Sequence, residues 1–386
     1  MSLKIAYCLP SLFSFGGMEK VLTLKANYFA DVLGYEVTII LTDGKGLKPA
    51  FPLSPKIRVI NLDINYNKIW HYKFIPRLFV YSFKQYIFRK RLSVVLDEIK
   101  PQITISMLRR EINFITRIND GSKKIGELHF NKDNYRDFNT SGKRSGLKGL
   151  MARLWMRQLL SNLRRIDRFV VLSKEDRDKW TELEHVDVIY NPISVFPQKV
   201  SDCSSKLVIA AGRYVRQKGF DMLLDSWKLV SNRHPDWSLA IYGDGLTKEF
   251  EKRVIRNGIR DSVTLNGPVL NLNDKFAEAS IFAFSSRFEG FGMVVTEAMS
   301  CGIPPVAFAC PCGPKDIITD GVNGLLVEPE NVKELADKIC YLIENEDERR
   351  EMGRRARERA SDFKIEIIAK QWDNLFREVL EENCCS

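Results

Sequence analysis

Two glutamates, Glu289 and Glu297, flank the glycine-broken apolar run in RFEGFGMVVTEAM, residues 287–299. Ionised carboxylates only accept hydrogen bonds, so such a pair suits ligands rich in hydroxyls, a sugar and a ribose among them. FAFSS before the run reads as a strand end, Glu289-Gly290-Phe291-Gly292 as a loop, and Met293–Ser300 as a helix with Gly302 after it. Glu289 is then expected at the C-terminal mouth of a strand, and Glu297 just over one turn into the helix. Backbone N–H groups near Gly292 could face a phosphate. The plainer alternative is a surface helix with two solvated acids.

Three further stretches carry chemistry of the same kind. In AAGRYVRQKGFDMLL, residues 210–224, Arg213 follows the strand-ending Gly212, and Lys218 sits five residues on. Arg as a fork and Lys as a point charge can hold a diphosphate at a strand end; two solvated cations are the alternative. In SLFSFGGMEK, Gly16-Gly17 follows a strand and opens a helix, where main-chain N–H groups can approach a phosphate or sugar. This is not GxGxxG, and a tight turn would explain it as well. In KIGELHFN, His129 ends another strand, with Glu127 two positions before it; a lone histidine there is also compatible with a structural role.

The elements that position these residues alternate. Leu3–Leu9, Glu36–Leu41, Ile57–Leu62, Gln102–Met107, Lys124–Leu128 and Arg168–Leu172 read as strands, with a helix from about Met18 to Leu33 and Ser173 as a helix cap. NPISVFPQKVSDCSSK, residues 191–206, has no periodicity and reads as a linker. The pattern then restarts with Lys206–Ala211, Trp237–Tyr242, Ser262–Leu265, Ile281–Phe284 and Pro305–Phe308. Short apolar strands separated by helices imply parallel sheets of βαβ units. The expectation is two doubly wound α/β domains, with ligands beyond the C-terminal strand ends. The expected domain bounds are 1–190 and 207–365 about the 191–206 linker; a C-terminal helix at 366–386 that could pack back on the first domain is a further expectation. A length of 386 residues suits two domains at roughly 100–200 residues each.

Taken together, VIYNPI (188–193), AAGRYVRQKGFDMLL, IYGDG, FAFSSRFEGFGMVVTEAMSCGIPPVAF and CPCGPKDIITDGVNGLLV resemble, in order and spacing, the retaining family-4 glycosyltransferases of GT-B fold. The resemblance covers most of the chain and implies two Rossmann-like domains facing across a cleft. It implies that Arg213 and Lys218 bind the donor diphosphate, that Glu289 holds the donor sugar and that Glu297 holds the ribose. Gly16 and Gly17 would lie against the phosphates or the sugar, and Val269 and Leu270 near the base. Gly290, Phe291 and Gly292 would complete the donor site. His129 would face the donor sugar; relatives commonly carry Glu-His there, whereas here Leu128 precedes it. Glu289, His129, Arg213 and Lys218 are the expected catalytic group. With no obvious covalent nucleophile, a front-face substitution fits retention.

Such an enzyme would move a hexose or N-acetylhexosamine from a nucleotide-sugar, a UDP-sugar by preference, to a glycan or polyprenyl-linked acceptor in bacterial surface polysaccharide assembly. A sugar-nucleotide epimerase and an inactive glycan- or nucleic-acid-binding module are the rival readings. No metal or cofactor is expected. Asp176-Arg177-Asp178 has the form of a DxD, but residues two apart on a helix do not share a face.

Charge is unevenly spread. Residues 1–195 hold 33 Lys and Arg against 19 Asp and Glu; the remainder holds 26 against 30. Residues 68–91 carry seven Lys/Arg, eight aromatics and no acid, and residues 143–165 carry seven Lys/Arg and no acid. Cations beside aromatics suit an anionic membrane surface, or single-stranded nucleic acid, or simply solvated helix faces; contact with a membrane, and not nucleic acid, is expected. Eight scattered cysteines, including Cys310, Cys312 and the terminal pair Cys384-Cys385, point to a reducing compartment and not to disulfides or zinc. The expectation is a cytoplasmic protein, peripheral on the inner membrane face.

Overall fold

The computed structural model describes residues 2–71, 73–137 and 147–382. The start of the second basic segment, Lys143 and Arg144, and the pair Cys384-Cys385 lie outside the described residues. The chain forms two compact units: residues 1–172, 176–192 and 365–386, and residues 173–175 and 193–364.

The first unit is a seven-stranded sheet built from β1 (Lys4–Leu9), β2 (Glu36–Leu41), β3 (Arg58–Asn61), β4 (Ile103–Ser106), β5 (Lys123–Glu127), β6 (Arg168–Val171) and β7 (Val186–Val188). Its order is β3-β2-β1-β4-β5-β6-β7, with the described pairings parallel. Both faces are covered, and the period-2 alternation of a strand divides β1 between two cores. Ile5, Tyr7 and Leu9 pack on one side, and Ala6 and Cys8 on the other. Helix α1 (Gly17–Asp31) covers the first side. Helices α2 (Phe74–Ile99), α3 (Leu147–Leu163) and α4 (Lys174–Lys179) follow in the chain, and Phe88, Leu92, Leu96, Leu159 and Leu163 of α2 and α3 fill the second core.

The second unit contains β8 (Leu207–Ala211), β9 (Ser238–Tyr242), β10 (Val263–Asn266), β11 (Ile281–Phe284), β12 (Pro305–Phe308) and β13 (Leu325–Val327), in the order β10-β9-β8-β11-β12-β13. Its helices are α5 (Phe220–Arg233), α6 (Lys248–Asn257), α7 (Leu272–Ala277), α8 (Met293–Ser300), α9 (Pro314–Ile317), α10 (Val332–Glu344) and α11 (Glu346–Ala360). Helix α12 (Ile365–Glu381) then belongs to the first unit. Its buried stripe Ile368, Ala369, Trp372, Leu375, Phe376 and Val379 follows helical spacing, and Phe376 meets Phe29 of α1 edge-on at 5.7 Å.

The periodic strands fall within a residue or two of the sequence reading. The two that the pattern does not reveal, β7 and β13, are three-residue edge strands, too short to show alternation. In both sheets the order reverses, at β1/β4 in the first and at β8/β11 in the second. Such a switch point opens a crevice beyond the strand ends, because the loops from the two strands leave in opposite directions.

Candidate active site

In the second unit the switch point is lined by two of the sequence motifs. The loop after β8 carries Arg213 and Lys218, and the loop after β11 carries Glu289. Lys218 Nζ donates to Glu289 Oε1 at 2.6 Å, with the side chains 15% and 8% exposed. The two loops are stitched together around this pair. Ser285 Oγ donates to the Lys218 carbonyl at 2.9 Å, Arg287 N to the Gln217 carbonyl at 2.8 Å, and Gln217 Nε2 to the Phe288 carbonyl at 2.9 Å. Arg287 grips Asp221 of α5 through two bonds of 2.9 and 2.8 Å. That guanidinium outweighs the burial of Asp221, which alone would raise its carboxyl, and holds it below the usual range.

Two glycines permit the close approach. Gly219 has φ +64, and a Cβ there would stand 1.9 Å from the Ser285 carbonyl oxygen. Gly313, in the CPCGP loop, has φ +113, and a Cβ would fall 1.8 Å from the Phe291 oxygen. Any side chain would push these loops apart.

The other expected donor-site residues take separate positions. Arg213 is exposed, and its guanidinium pairs with no carboxylate among the described residues. Helix α8 begins at Met293 after Gly292, which has φ +92 and provides no side-chain cap; Val295 N donates to the Gly292 carbonyl at 2.9 Å, and the Met293 and Val294 amides before it have no acceptor among the described residues. Glu297 is half-buried on α8, and Ser194 Oγ lies 3.5 Å from its Oε1. Val269 and Leu270 are exposed after β10. Phe291 differs from a ligand-contacting side chain: it is buried, with its ring 5.6 Å from that of Phe363.

In the first unit, Gly16 and Gly17 follow β1 at the start of α1, and His129 follows β5. Gly16 has ordinary extended backbone at φ −91, so it is small without being conformationally forced. His129 Nε2 lies 2.9 Å from Glu127 Oε1, and the same oxygen accepts from Lys25 Nζ of α1. Lys25 and Glu127 are buried completely. Burial alone would push the Glu127 carboxyl up, but Lys25 and His129 outweigh it and hold the group at about 2. Burial lowers Lys25.

The sequence contained signals for both residues. Glu127 and His129 are two apart on an extended segment, hence on one face. Lys25 occupies a core position in the α1 stripe Val21, Leu22, Ala26 and Phe29.

Asp176 lies in the first turn of α4. It is buried, accepts from Trp180 Nε1 at 3.2 Å and from the Lys132 amide at 2.8 Å, and burial raises its carboxyl. Its hydrogen bonds are structural. Among the described residues no cluster of three metal-ligating groups occurs, and the described cysteines form no disulfide.

On α2, Phe79, Phe83 and Tyr86 are 75%, 64% and 65% exposed and lie on one face with Lys90. Arg91 and Lys84 of the same run turn back to the main chain, at 3.2 Å from the Asp63 carbonyl and 2.9 Å from the Asn65 carbonyl. No described helix is long and apolar enough to cross a membrane.

Residues 195–359 match the family glycosyl transferases group 1. The chain is 28% identical over 381 residues to an uncharacterized glycosyltransferase of Haemophilus influenzae, covering 96% of this chain and 99% of that one. It is 30% identical over 220 residues to a Campylobacter jejuni alpha-1,4-N-acetyl-D-galactosaminyltransferase whose name specifies a PP-undecaprenol-linked acceptor, covering 55% of this chain and 60% of that one. The crystal structure of a Staphylococcus aureus TarM variant with fondaparinux, alpha-GlcNAc-glycerol and UDP superposes with a TM-score of 0.75 at 19% identity, over 97% of this chain and 100% of that one. The chain has the GT-B fold of that structure, and its residues 195–359 are similar to the glycosyl transferases group 1 family.

Proposed function

We propose that the protein is a retaining, metal-independent glycosyltransferase that moves a hexose or N-acetylhexosamine from a UDP-sugar to a glycan or lipid-linked acceptor in cell-surface glycan assembly. The observation that carries this reading is the Lys218–Glu289 pair at the switch point of the second sheet, beside the exposed Arg213 and the open amides of α8. Lys218 and Arg213 supply the positive charge that a diphosphate needs. Glu289 and Glu297 accept from sugar and ribose hydroxyls, and Val269 and Leu270 lie along the base. The family resemblance gives Gly16 and Gly17 the role of admitting the donor to main chain, and His129 that of meeting its sugar. UDP in the TarM complex and the alpha linkage and polyprenyl acceptor in the Campylobacter relative's name support the donor, the stereochemistry and the acceptor class.

In the reaction the bond from the anomeric carbon to the leaving phosphate oxygen breaks. The acceptor hydroxyl oxygen bonds to the same face, and its proton passes to the departing phosphate. No residue need form a covalent intermediate. The chain's contribution is to neutralise the leaving diphosphate with Arg213 and Lys218 and to fix the sugar through Glu289 and His129.

The exposed Phe79, Phe83 and Tyr86 beside Arg89 and Lys90 favour a peripheral seat on an anionic membrane surface, the inner face of the cytoplasmic membrane, where lipid-linked acceptors reside. Rings at an interface and cations near headgroups account for both halves of this stripe.

A melting screen against UDP-, GDP- and ADP-sugars tests the donor: UDP-sugars at a hundred times their Kd should stabilise the protein by about 2.7 kcal/mol. Transfer from the stabilising donor should survive excess EDTA. Activity lost in EDTA and restored by Mg²⁺ or Mn²⁺ overturns the metal-independent mechanism, and formation of the epimeric sugar from the UDP-sugar with no acceptor, as distinct from hydrolysis to UDP and the unchanged sugar, would reassign the chain as an epimerase.

A further inference from the structure

The buried charges of the first unit are not used by the reaction as described. Lys25 and Glu127 lie 102 positions apart and are 1% and 0% exposed. Two ions are rarely taken out of water without a reason, since desolvation opposes their attraction. Their surroundings show how they are held. Lys25 Nζ lies 4.3 Å from the Trp372 ring centre of α12 and 5.9 Å from that of Tyr7 on β1. It therefore has aromatic faces beside it and one carboxylate before it. Both donors to Glu127, Lys25 Nζ and His129 Nε2, converge on the single oxygen Oε1, and among the described residues Oε2 accepts no hydrogen bond.

This geometry decides the tautomer of His129. An ionised carboxylate can only accept. Nε2 must therefore carry the hydrogen and donate, which leaves Nδ1 as the ring nitrogen able to meet a ligand; among the described residues no hydrogen bond engages it. The partner of one imidazole nitrogen sets the state of the other.

We infer that Lys25 and Glu127 are positioning residues that fix His129 in the Nε2–H form, with Nδ1 presented as an acceptor for a hydroxyl of the transferred sugar. Trp372 makes α12 the third wall of this device, so the last helix of the chain braces the histidine through Lys25. Lys25 keeps Glu127 ionised, Glu127 orients the ring, and neither touches substrate. The inference rests on the reading of His129 as a sugar-facing residue.

Three proteins and one spectrum test it. Long-range ¹H–¹⁵N correlation on the wild-type protein should show the neutral His129 ring as the Nε2–H tautomer; a ring predominantly protonated at Nδ1 overturns the inference outright. The double variant Lys25→Met/Glu127→Leu replaces the pair with apolar groups of similar volume, and Glu127→Gln keeps the shape without the charge. In whichever of these folds, kcat for sugar transfer should fall about tenfold or more, with the KM for the nucleotide-sugar changed less than about twofold, and the ring should populate both tautomers. Wild-type kcat in a folded variant overturns the proposal. His129→Ala separates the two readings. If it transfers as well as wild type, the sugar-facing role of His129 fails; if it is inactive while the folded pair variants are normal, only the positioning role fails.

Discussion

Each unit holds a lysine–glutamate pair at the C-terminal edge of its sheet, and the two pairs differ in burial. Lys25 and Glu127 are sealed between α1, β5 and α12, whereas Lys218 and Glu289 are 15% and 8% exposed on loops flanking a switch point. A sealed pair cannot exchange its partner for a ligand, so it acts as a scaffold. A pair at the mouth of a crevice can: on the proposed reading a diphosphate would draw Lys218 away while Glu289 turns to sugar hydroxyls. Identical chemistry thus becomes framework or reagent according to whether water, and with it substrate, can reach it.

The largest effect that sharpens this contrast is on stability. Lys25→Met leaves Glu127 buried with one donor on Oε1 and should cost about 3–5 kcal/mol, read by urea unfolding. The double variant with Glu127→Leu should recover most of that loss. Equal stability of Lys25→Met and wild type would mean that the pair does not bear on the fold.

Lys218→Ala should reverse the pattern. Stability should fall less than in Lys25→Met, because Lys218 and Glu289 keep 15% and 8% exposure and water can still reach the carboxylate left behind. Turnover should fall by about 10²–10³-fold, as for loss of an electrostatic stabiliser of the leaving group. A purified Lys218→Ala protein with wild-type transfer rates removes the second pair from the reaction.

A third comparison is between surfaces. Arg89→Glu with Lys90→Glu should weaken sedimentation with vesicles containing anionic lipid by about 2 kcal/mol, at about 1 kcal/mol per residue, with transfer to a soluble acceptor unchanged. Arg91 is left in place because it holds the Asp63 carbonyl. Unchanged sedimentation, or better competition by single-stranded RNA than by vesicles, would make α2 a packing or nucleic-acid surface.

Acid gives the smallest of these effects. Glu127 is held at about 2, below an ordinary unfolded value near about 4.3. A depressed carboxyl contributes stability that is complete above the unfolded value and drains away as pH falls through the folded one. Wild-type stability should therefore drop between about pH 4.5 and pH 2 more steeply than that of the double variant. Parallel curves would mean that Glu127 titrates alike in both states.

Much of the architecture was legible in the chain itself. β2, β11 and β12 lie where the apolar runs place them, and α8 spans Met293–Ser300 as the glycines around it imply. Helical and strand periods are properties of neighbours two to four residues apart, and motif order along the chain carries the family resemblance. Glu127-x-His129 and the lysine in the α1 stripe were visible as pattern, without their partner.

What the tertiary structure alone decided was which polar groups lose water and whom they meet. Lys25 finds Glu127 across 102 residues because β1 and β4 are adjacent in the sheet and α1 packs over them. Trp372 reaches Lys25 only because α12 belongs with the first unit. Phe291 turns into the core, Asp176 is buried under hydrogen bonds, and Lys84 and Arg91 are tied to main chain within a run that reads as uniformly solvated. Local periodicity assigns a residue to a face; desolvation and the choice of charge partner depend on strand order and helix packing between segments far apart in sequence.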